Sequence, residues 1–389
     1  MINYEELMVK RIQYVPPSGI RKFFDIANEM GDAISLGVGE PDFDTPWHIR
    51  EEAIYTLEKG KTIYTANAGL LDLRKEICAY MKRRFDLTYS PAKQTLVTVG
   101  GSEGIDLALR ILLELGDEVL IPEPCYVAYA PCVIFTGATP VAIPTKAENK
   151  FKLTPEELNQ YITPKTKALI LPYPNNPTGA IMEQEDLEKI ADVLREKNII
   201  VISDEIYAEL TYGKKHVSIA SIPGMYERTI VLSGFSKTYA MTGWRLGYAL
   251  GPEPLIGLMT KMHQFAIMCA PTTSQYAAVE AMRNGDEDVR EMRKSYDQRR
   301  RFMIESFYKM GLDCFEPEGA FYVFPSIQKT GMTSEEFCKV LLQEEKVAVV
   351  PGSAFGKSGE GFVRCSYAYS IEELKEALTR IARFVSKRI

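Results

Sequence analysis

Histidine is scarce in this chain. Three occur in 389 residues, at positions 48, 216 and 263, too widely spaced to suggest a ligand cluster. The seven cysteines (78, 125, 132, 269, 314, 338 and 365) include no Cys-x-x-Cys pair. An odd, scattered set argues against a disulfide scaffold and for free thiols in a reducing compartment, with the cytoplasm expected. No apolar run approaches the roughly 18 residues of a membrane span. Positive charge is not in excess, because 46 Lys and Arg face 52 Asp and Glu for a net charge of -6. That balance offers no broad electropositive field, so a nucleic-acid partner is not expected. The basic run Arg299–Arg301 sits in helical periodicity and reads as a solvated helix face. The opening MINYEELMVKRIQ is amphipathic and acidic, unlike a signal or transit peptide.

What is present is an ordinary folded composition of 46% hydrophobic and 25% charged residues, without internal repeats. The length allows one large core with a satellite domain. LVTVGG (96–101) runs into a helical pattern over 102–116 that stops at a glycine. EVLIPEP, PVAIPT, KALILPYP, IIVISDE, TIVLSG and RLGYALG follow as short apolar runs, most separated by helical stretches such as 185–197. Continuous apolar strands alternating with helices predict a mostly parallel sheet covered on both faces. The run at 245–250 follows that at 229–233 too closely for a helical crossover, which predicts at least one antiparallel pairing. Beyond Pro252 helices dominate, and a long charged helix over 288–311 is expected to bridge two domains. Strands at 319–325, 346–352 and 361–368, with helices at 334–345 and 371–388, make an α+β module. The segment before Pro46 is too short to fold alone and is assigned to that module. The expected units are residues 1–45 with 286–389, and 46–285.

In an open α/β sheet, ligands bind beyond the C-terminal ends of the strands. Four such ends carry chemistry. Gly100–Gly101–Ser102–Glu103 opens a helix, so its free N–H groups form either an anion cradle or a plain capped turn. PNNPTG (174–179) is either a turn or a rigid amide donor presented by the asparagines. VISDEIYAE (201–209) places Asp204 and Glu205 where an apolar strand stops, and Tyr207 returns toward the same space. LSGFSKTYAMTGWRLGY (232–248) leads through small residues to Lys237, with Arg245 eight residues on. A desolvated lysine near a cation has a lowered pKa and attacks carbonyls. Together these ends suit a cofactor bearing a phosphate, a phenolic oxygen, a ring nitrogen and an aldehyde.

With these motifs in order, the chain resembles the fold-type I pyridoxal-phosphate enzymes, in particular the class I/II aminotransferases of the aspartate aminotransferase family. GFSKTYAMTGWRLG (234–247) is similar to that family's lysine-attachment signature, and PNNPTG, SDEIY and the early ISLGVGEPDFDTP (34–46) add to the match. The resemblance implies a mostly parallel seven-stranded sheet sandwiched by helices, with a smaller α+β domain, and pyridoxal 5'-phosphate as cofactor. It implies that Lys237 carries the cofactor as a Schiff base and moves the substrate α-proton. Asp204 would pair with the ring nitrogen, Asn176 and Tyr207 with the phenolic oxygen, and Tyr126 would stack on the ring. Gly101, Ser102, Glu103, Ser236 and Arg245 would hold the phosphate. A hydroxyl that some relatives carry three residues before the lysine is replaced here by Gly234, leaving Ser233 or Ser236 to serve. Arg364 and the Gly39 amide would hold the substrate α-carboxylate, and Ile20, Tyr14 and Tyr322 would line its side-chain pocket. Tyr64 would reach the phosphate of a neighbouring subunit, which implies a homodimer with shared active sites. The activity so implied is ping-pong transfer of an amino group from an L-amino acid to a 2-oxo acid, with aspartate, aromatic, alanine or broad specificity. A C–S lyase acting by β-elimination on the same fold is the alternative.

Overall fold

A computed structural model describes residues 2–17, 19 and 30–389. Strand β1 (Ile34–Ser35) precedes the helix Trp47–Glu58 and the helix Leu71–Phe85. Seven strands then form one sheet: β2 (Thr95–Thr98), β3 (Glu118–Glu123), β4 (Thr139–Pro144), β5 (Thr166–Leu171), β6 (Ile200–Asp204), β7 (Thr229–Gly234) and β8 (Gly247–Leu250). Their order is β2-β8-β7-β6-β5-β3-β4. All pairings are parallel except those of β8, which runs antiparallel to both β2 and β7. The expected antiparallel pairing is thus present twice.

The near-continuous apolar character of these strands has its cause in double coverage. Val97, Val231 and Leu250 pack with Leu73, Ile77 and Ala277 on one side. Their chain neighbours Leu96, Leu232 and Ala249 pack with Ile105, Ala108 and Met259 on the other. Period-two alternation therefore sends apolar groups to two helical layers, each buried Val, Leu or Ile contributing about 1.5–3 kcal/mol of transfer free energy.

The C-terminal part has its own core. The helix Asp286–Lys309 starts with Asp286, Glu287 and Asp288, which favour the positive end of its dipole, and buries Tyr296, Met303 and Phe307. These pack with Phe337, Leu341, Ile381 and Phe384 of the helices Ser334–Glu345 and Ile371–Val385. The strands here are shorter than the sequence suggested. They are β9 (Tyr322–Val323), β10 (Val347–Ala348), β11 (Val350–Pro351) and β12 (Val363–Ser366). β10 pairs in parallel with β1, Ile34 opposite Val347, which ties the segment after residue 30 to this core. β11, β12 and β9 form a separate antiparallel sheet. Backbone direction changes at Val349 split one expected strand into β10 and β11, each serving a different sheet.

The basic run at 299–301 corrects the reading from sequence. Only Arg301 is solvated; Arg299 pairs with Asp42, and buried Arg300 pairs with Asp297 and Glu316 while lying over the Tyr212 ring. Asp297 lies one turn back on the same helix, but Asp42 and Glu316 come from other parts of the chain, and helical periodicity alone cannot reveal those two. Among the described residues, no helix is long and apolar enough to cross a membrane.

Candidate active site

The direction of β8 is what gathers the site. Its first residue, Gly247, lies opposite Thr98 at the end of β2 and Gly234 at the end of β7. An antiparallel strand therefore begins where its neighbours finish, so Arg245 joins the residues that follow β2, β6 and β7. A cavity of about 790 Å³ opens there. Gly39, Gly101, Ser102, Tyr126, Asn176, Asp204, Tyr207, Ser236, Lys237, Arg245, Tyr322 and Arg364 all line it.

The helix Gly100–Leu112 points its N-terminus at the cavity with Gly101 and Ser102 on the lining. Gly100 has φ +75°, and a Cβ there would stand 2.7 Å from the Arg245 guanidinium. Only glycine fits, and its smallness lets a cation and the positive end of a helix share one corner. Arg245 donates to the Thr242 carbonyl at 3.0 Å, leaving the rest of its fork toward the cavity. This corner has the chemistry to receive an anion. Ser236 lines the cavity, whereas Ser233 donates to the Glu205 carbonyl and does not. Gly234 packs against the Gly247 backbone, where a Cβ would meet Gly247 Cα at 3.0 Å. Glu103 also turns away. Its carboxylate accepts from the Val99 amide and meets His263 Nδ1 at 2.8 Å, so it steadies the helix start without lining the cavity.

Asp204 closes β6 and is buried. Tyr129 donates to its carboxylate at 2.7 Å and the Ile206 amide at 3.2 Å. Burial pushes the Asp204 carboxyl above its usual range, and those two donors pull it back. Among the described residues no cation pairs with it. A desolvated carboxylate facing a cavity without a cation is suited to a cationic ligand group.

Lys237 lines the same cavity and donates to the Gly39 carbonyl. Burial depresses its ammonium to about 8, with Arg364 and Arg245 acting in the same direction and Glu40 against them. An amine so poised is largely neutral at mildly alkaline pH and nucleophilic. Arg364 is 2% exposed, yet it carries a full charge. It donates to Asn176 Oδ1 at 2.9 Å and to the Gly37 carbonyl, and lies between the rings of Tyr322 and Phe355. Its Nε has no partner and is buried, a donor left over for a ligand. Tyr207 and Tyr322 bring their hydroxyls within 2.8 Å. Tyr126 lines the cavity beside Ser102, and burial raises its phenol.

Of the residues expected at the substrate side chain, Tyr14 lies away from the cavity; Tyr64, expected at a neighbouring subunit's site, is at the surface. Tyr64 is 77% exposed and Tyr14 81%, and neither lines the cavity. Ile20 falls outside the described residues. Tyr129, Glu40 and Thr242 belong to the site but were not singled out from sequence. Tyr129 follows Tyr126 by three residues, a spacing that returns a side chain to the same region and was the available signal.

Residues 31–381 match the family described as aminotransferase class I and II. The chain belongs to that family. It is 50% identical over 384 residues to an aspartate aminotransferase of Pyrococcus abyssi, covering 98% of this chain and 99% of the relative. It is 47% identical over 381 residues to aromatic-amino-acid aminotransferase 2 of Thermococcus litoralis, covering 97% and 98%. The crystal structure of an aromatic aminotransferase from Pyrococcus horikoshii superimposes with a TM-score of 0.90 at 47% identity, covering 94% of this chain and 99% of that one. This aminotransferase therefore shares the architecture of the fold-type I pyridoxal-phosphate enzymes.

Proposed function

We propose that the cavity binds pyridoxal 5'-phosphate and transfers an amino group from an L-amino acid to a 2-oxo acid in two half-reactions. The observation that carries this reading is that Lys237 and Asp204 line one cavity, a buried amine with a lowered pKa together with a buried carboxylate that has no cation partner among the described residues. The donor set fits the cofactor. Gly101, Ser102, Ser236 and Arg245, with the backbone N–H at Glu103, would take the phosphate. Asp204 would take a protonated ring nitrogen, Asn176 and Tyr207 the phenolic oxygen, and Tyr126 a ring face. When bound, pyridoxal phosphate supplies an aldehyde for amine capture and a ring that accepts electron density from the substrate α-carbon.

The chain's own groups do the rest. Arg364, with its spare Nε–H, and the Gly39 amide bind the α-carboxylate and thereby fix the orientation of the Cα–H bond. Lys237, once free, would take the proton from the α-carbon and deliver it two atoms along, beyond the amino nitrogen, to the carbon that had carried the cofactor's aldehyde. Asp204 stays ionised because a cation compensates it, and that preorganised charge stabilises the electron-rich transition state. Tyr322 lines the substrate side of the cavity, and Ile20 is assigned there with it. The relatives named for aspartate and for aromatic amino acids support a substrate range of aspartate, aromatic, alanine or broad type. Residues 1–45 with 286–389 act as one unit and 46–285 as the other, in a homodimer whose sites are shared through Tyr64.

A donor-by-acceptor screen of the purified holoenzyme tests the reading. At most one equivalent of 2-oxo acid per site without an acceptor, and sustained turnover matched to acceptor consumed once one is supplied, supports transamination. Ammonia released without an acceptor means β-elimination and overturns it.

A further inference from the structure

The contact between Tyr207 and Tyr322 does more than line the cavity. The two hydroxyl oxygens are 2.8 Å apart, and both side chains are buried. Tyr322 is fixed from several sides. The Arg364 guanidinium lies 4.4 Å from its ring centroid, Phe321 packs at 4.9 Å, and Gly39 leaves room for its hydroxyl. Each phenol has one hydrogen, so in this pair one donates and the other keeps its proton free for a third group.

Which one donates follows from the charges around them. Burial pushes both phenols above their ordinary range. The Arg364 guanidinium lies over the Tyr322 ring, 4.4 Å from its centroid, and makes no such contact with the Tyr207 ring, so its charge favours release of the Tyr322 proton more than that of Tyr207. Tyr322 is therefore the stronger acid and the better donor. The Tyr207 oxygen accepts, and its own hydrogen is left for the cavity, where Asn176 and Lys237 also stand. Accepting one hydrogen bond polarises a hydroxyl and strengthens the bond it donates.

We propose that Tyr322 is a positioning residue whose hydroxyl donates to Tyr207, making Tyr207 a stronger donor to an anionic phenolic oxygen held in the cavity. This rests on the pyridoxal-phosphate reading above. A stronger donor stabilises the oxygen as an anion without a proton. The oxygen then pulls less on the proton of the nitrogen joined to Lys237, and that nitrogen titrates at lower pH.

The test is a spectroscopic titration of the holoenzyme, following visible absorbance against pH. Tyr322→Phe keeps the ring over Arg364 and removes only the hydroxyl. The expected result is a midpoint raised by a few tenths of a pH unit, consistent with modest cooperative strengthening per bond. Tyr207→Phe raises the midpoint further, and adding Tyr322→Phe to it produces no additional shift. An unchanged midpoint in Tyr322→Phe, or an equal shift in the Tyr207→Phe background, overturns the relay. Should Tyr322→Phe fold poorly, 3-fluorotyrosine at position 322 gives a more acidic phenol of nearly the same shape, and the midpoint must fall. Wild-type protein that forms no coloured adduct refutes the cofactor reading itself, a failure distinguishable from the others.

Discussion

The hydroxyl of Tyr322 lies 2.5 Å from the point that a Cβ on Gly39 would occupy. Gly39 also offers its carbonyl to Lys237, and Gly37, two residues back, offers its carbonyl to Arg364. One loop thus touches the amine, the guanidinium and the phenol. Gly39→Ala forces either the phenol or the loop to move, an overpacking worth about 1–3 kcal/mol. The expected outcome is a kcat/KM reduced about 10- to 100-fold, with the larger part in KM for the 2-oxo acid. Steady-state kinetics check this, and an Ala variant with wild-type constants would show that the loop yields freely.

Lys237 gives a stability prediction with a definite sign. Its folded-state value of about 8 lies below the ordinary 10.5, so folding without cofactor buries a charge unfavourably. The penalty is complete below about pH 8 and fades as pH rises toward 10.5, where the unfolded chain also loses the proton. With allowance for solvent at the open mouth it amounts to about 1–3 kcal/mol. Cofactor-free Lys237→Met should therefore melt higher than cofactor-free wild type at pH 7, and the gap should narrow above pH 9. Thermal scans at several pH values decide the matter. A Met variant that melts lower at pH 7 contradicts the assignment.

Much of the site was legible because strand ends and short motifs announce themselves. Lys237, Asp204 and Asn176 each follow an apolar run that stops at polar residues, Arg245 comes just before one, and the cavity lining contains all four. What the sequence concealed was direction and distance. Nothing in Ser233 and Ser236 distinguishes them as residue types. The antiparallel entry of β8 and the path after β7 leave Ser236 in the cavity and Ser233 against the Glu205 carbonyl. Glu103 has the right position at a helix start, but His263, 160 residues later, draws its carboxylate elsewhere. The spacing of Tyr129 from Tyr126 hinted at a shared region, but its partner Asp204, 75 residues away on β6, could not be read from the sequence. The small-domain strands were overestimated because apolar character persists through Val349, where the backbone changes sheets.

For Arg364, Lys is the informative replacement, since it retains charge but loses the planar fork and the stacking between Tyr322 and Phe355. A charge-assisted bidentate contact is worth about 2–5 kcal/mol when one partner is truncated, so kcat/KM should fall about 30- to 5,000-fold. Because cofactor groups are assigned to other residues, affinity for pyridoxal phosphate should change less than threefold. Parallel measurements of substrate kinetics and cofactor titration separate the two effects. Equal losses in both would place Arg364 on the cofactor.

Tyr129 supplies a hydrogen bond that holds Asp204 in its ionised form. Removing the hydroxyl in Tyr129→Phe leaves burial less opposed and moves the Asp204 carboxyl further up. A hydrogen bond to a charged group is worth about 1.5–3 kcal/mol, so pyridoxal phosphate should bind about 10- to 100-fold more weakly. Asp204→Asn removes the charge itself and should depress kcat by about 100-fold or more, while visible adduct formation persists. Cofactor titration and single-turnover kinetics of the two variants supply the comparison. A Tyr129→Phe protein with unaltered cofactor affinity would leave Tyr129 as packing alone.

Tyr64 and its neighbour Ile63 are 77% and 78% exposed, and Phe265 is 80% exposed. Large apolar side chains left uncovered in this way are suited to contact with a second copy of the chain. If Tyr64 completes the site of the other subunit, two crippled chains can repair each other. Lys237→Ala homodimers should be inactive, and Tyr64→Ala homodimers should bind cofactor about 10-fold more weakly. A mixed dimer of the two variants contains one site with both defects and one with neither. Refolding equal amounts together should yield hybrids that regain, at low cofactor concentration, about half the activity of a wild-type dimer. Were Tyr64 to serve its own subunit's site, no hybrid would hold an intact site, and activity would stay at the average of the two parents. Isolating the hybrid by differential tagging before assay makes the two outcomes distinct.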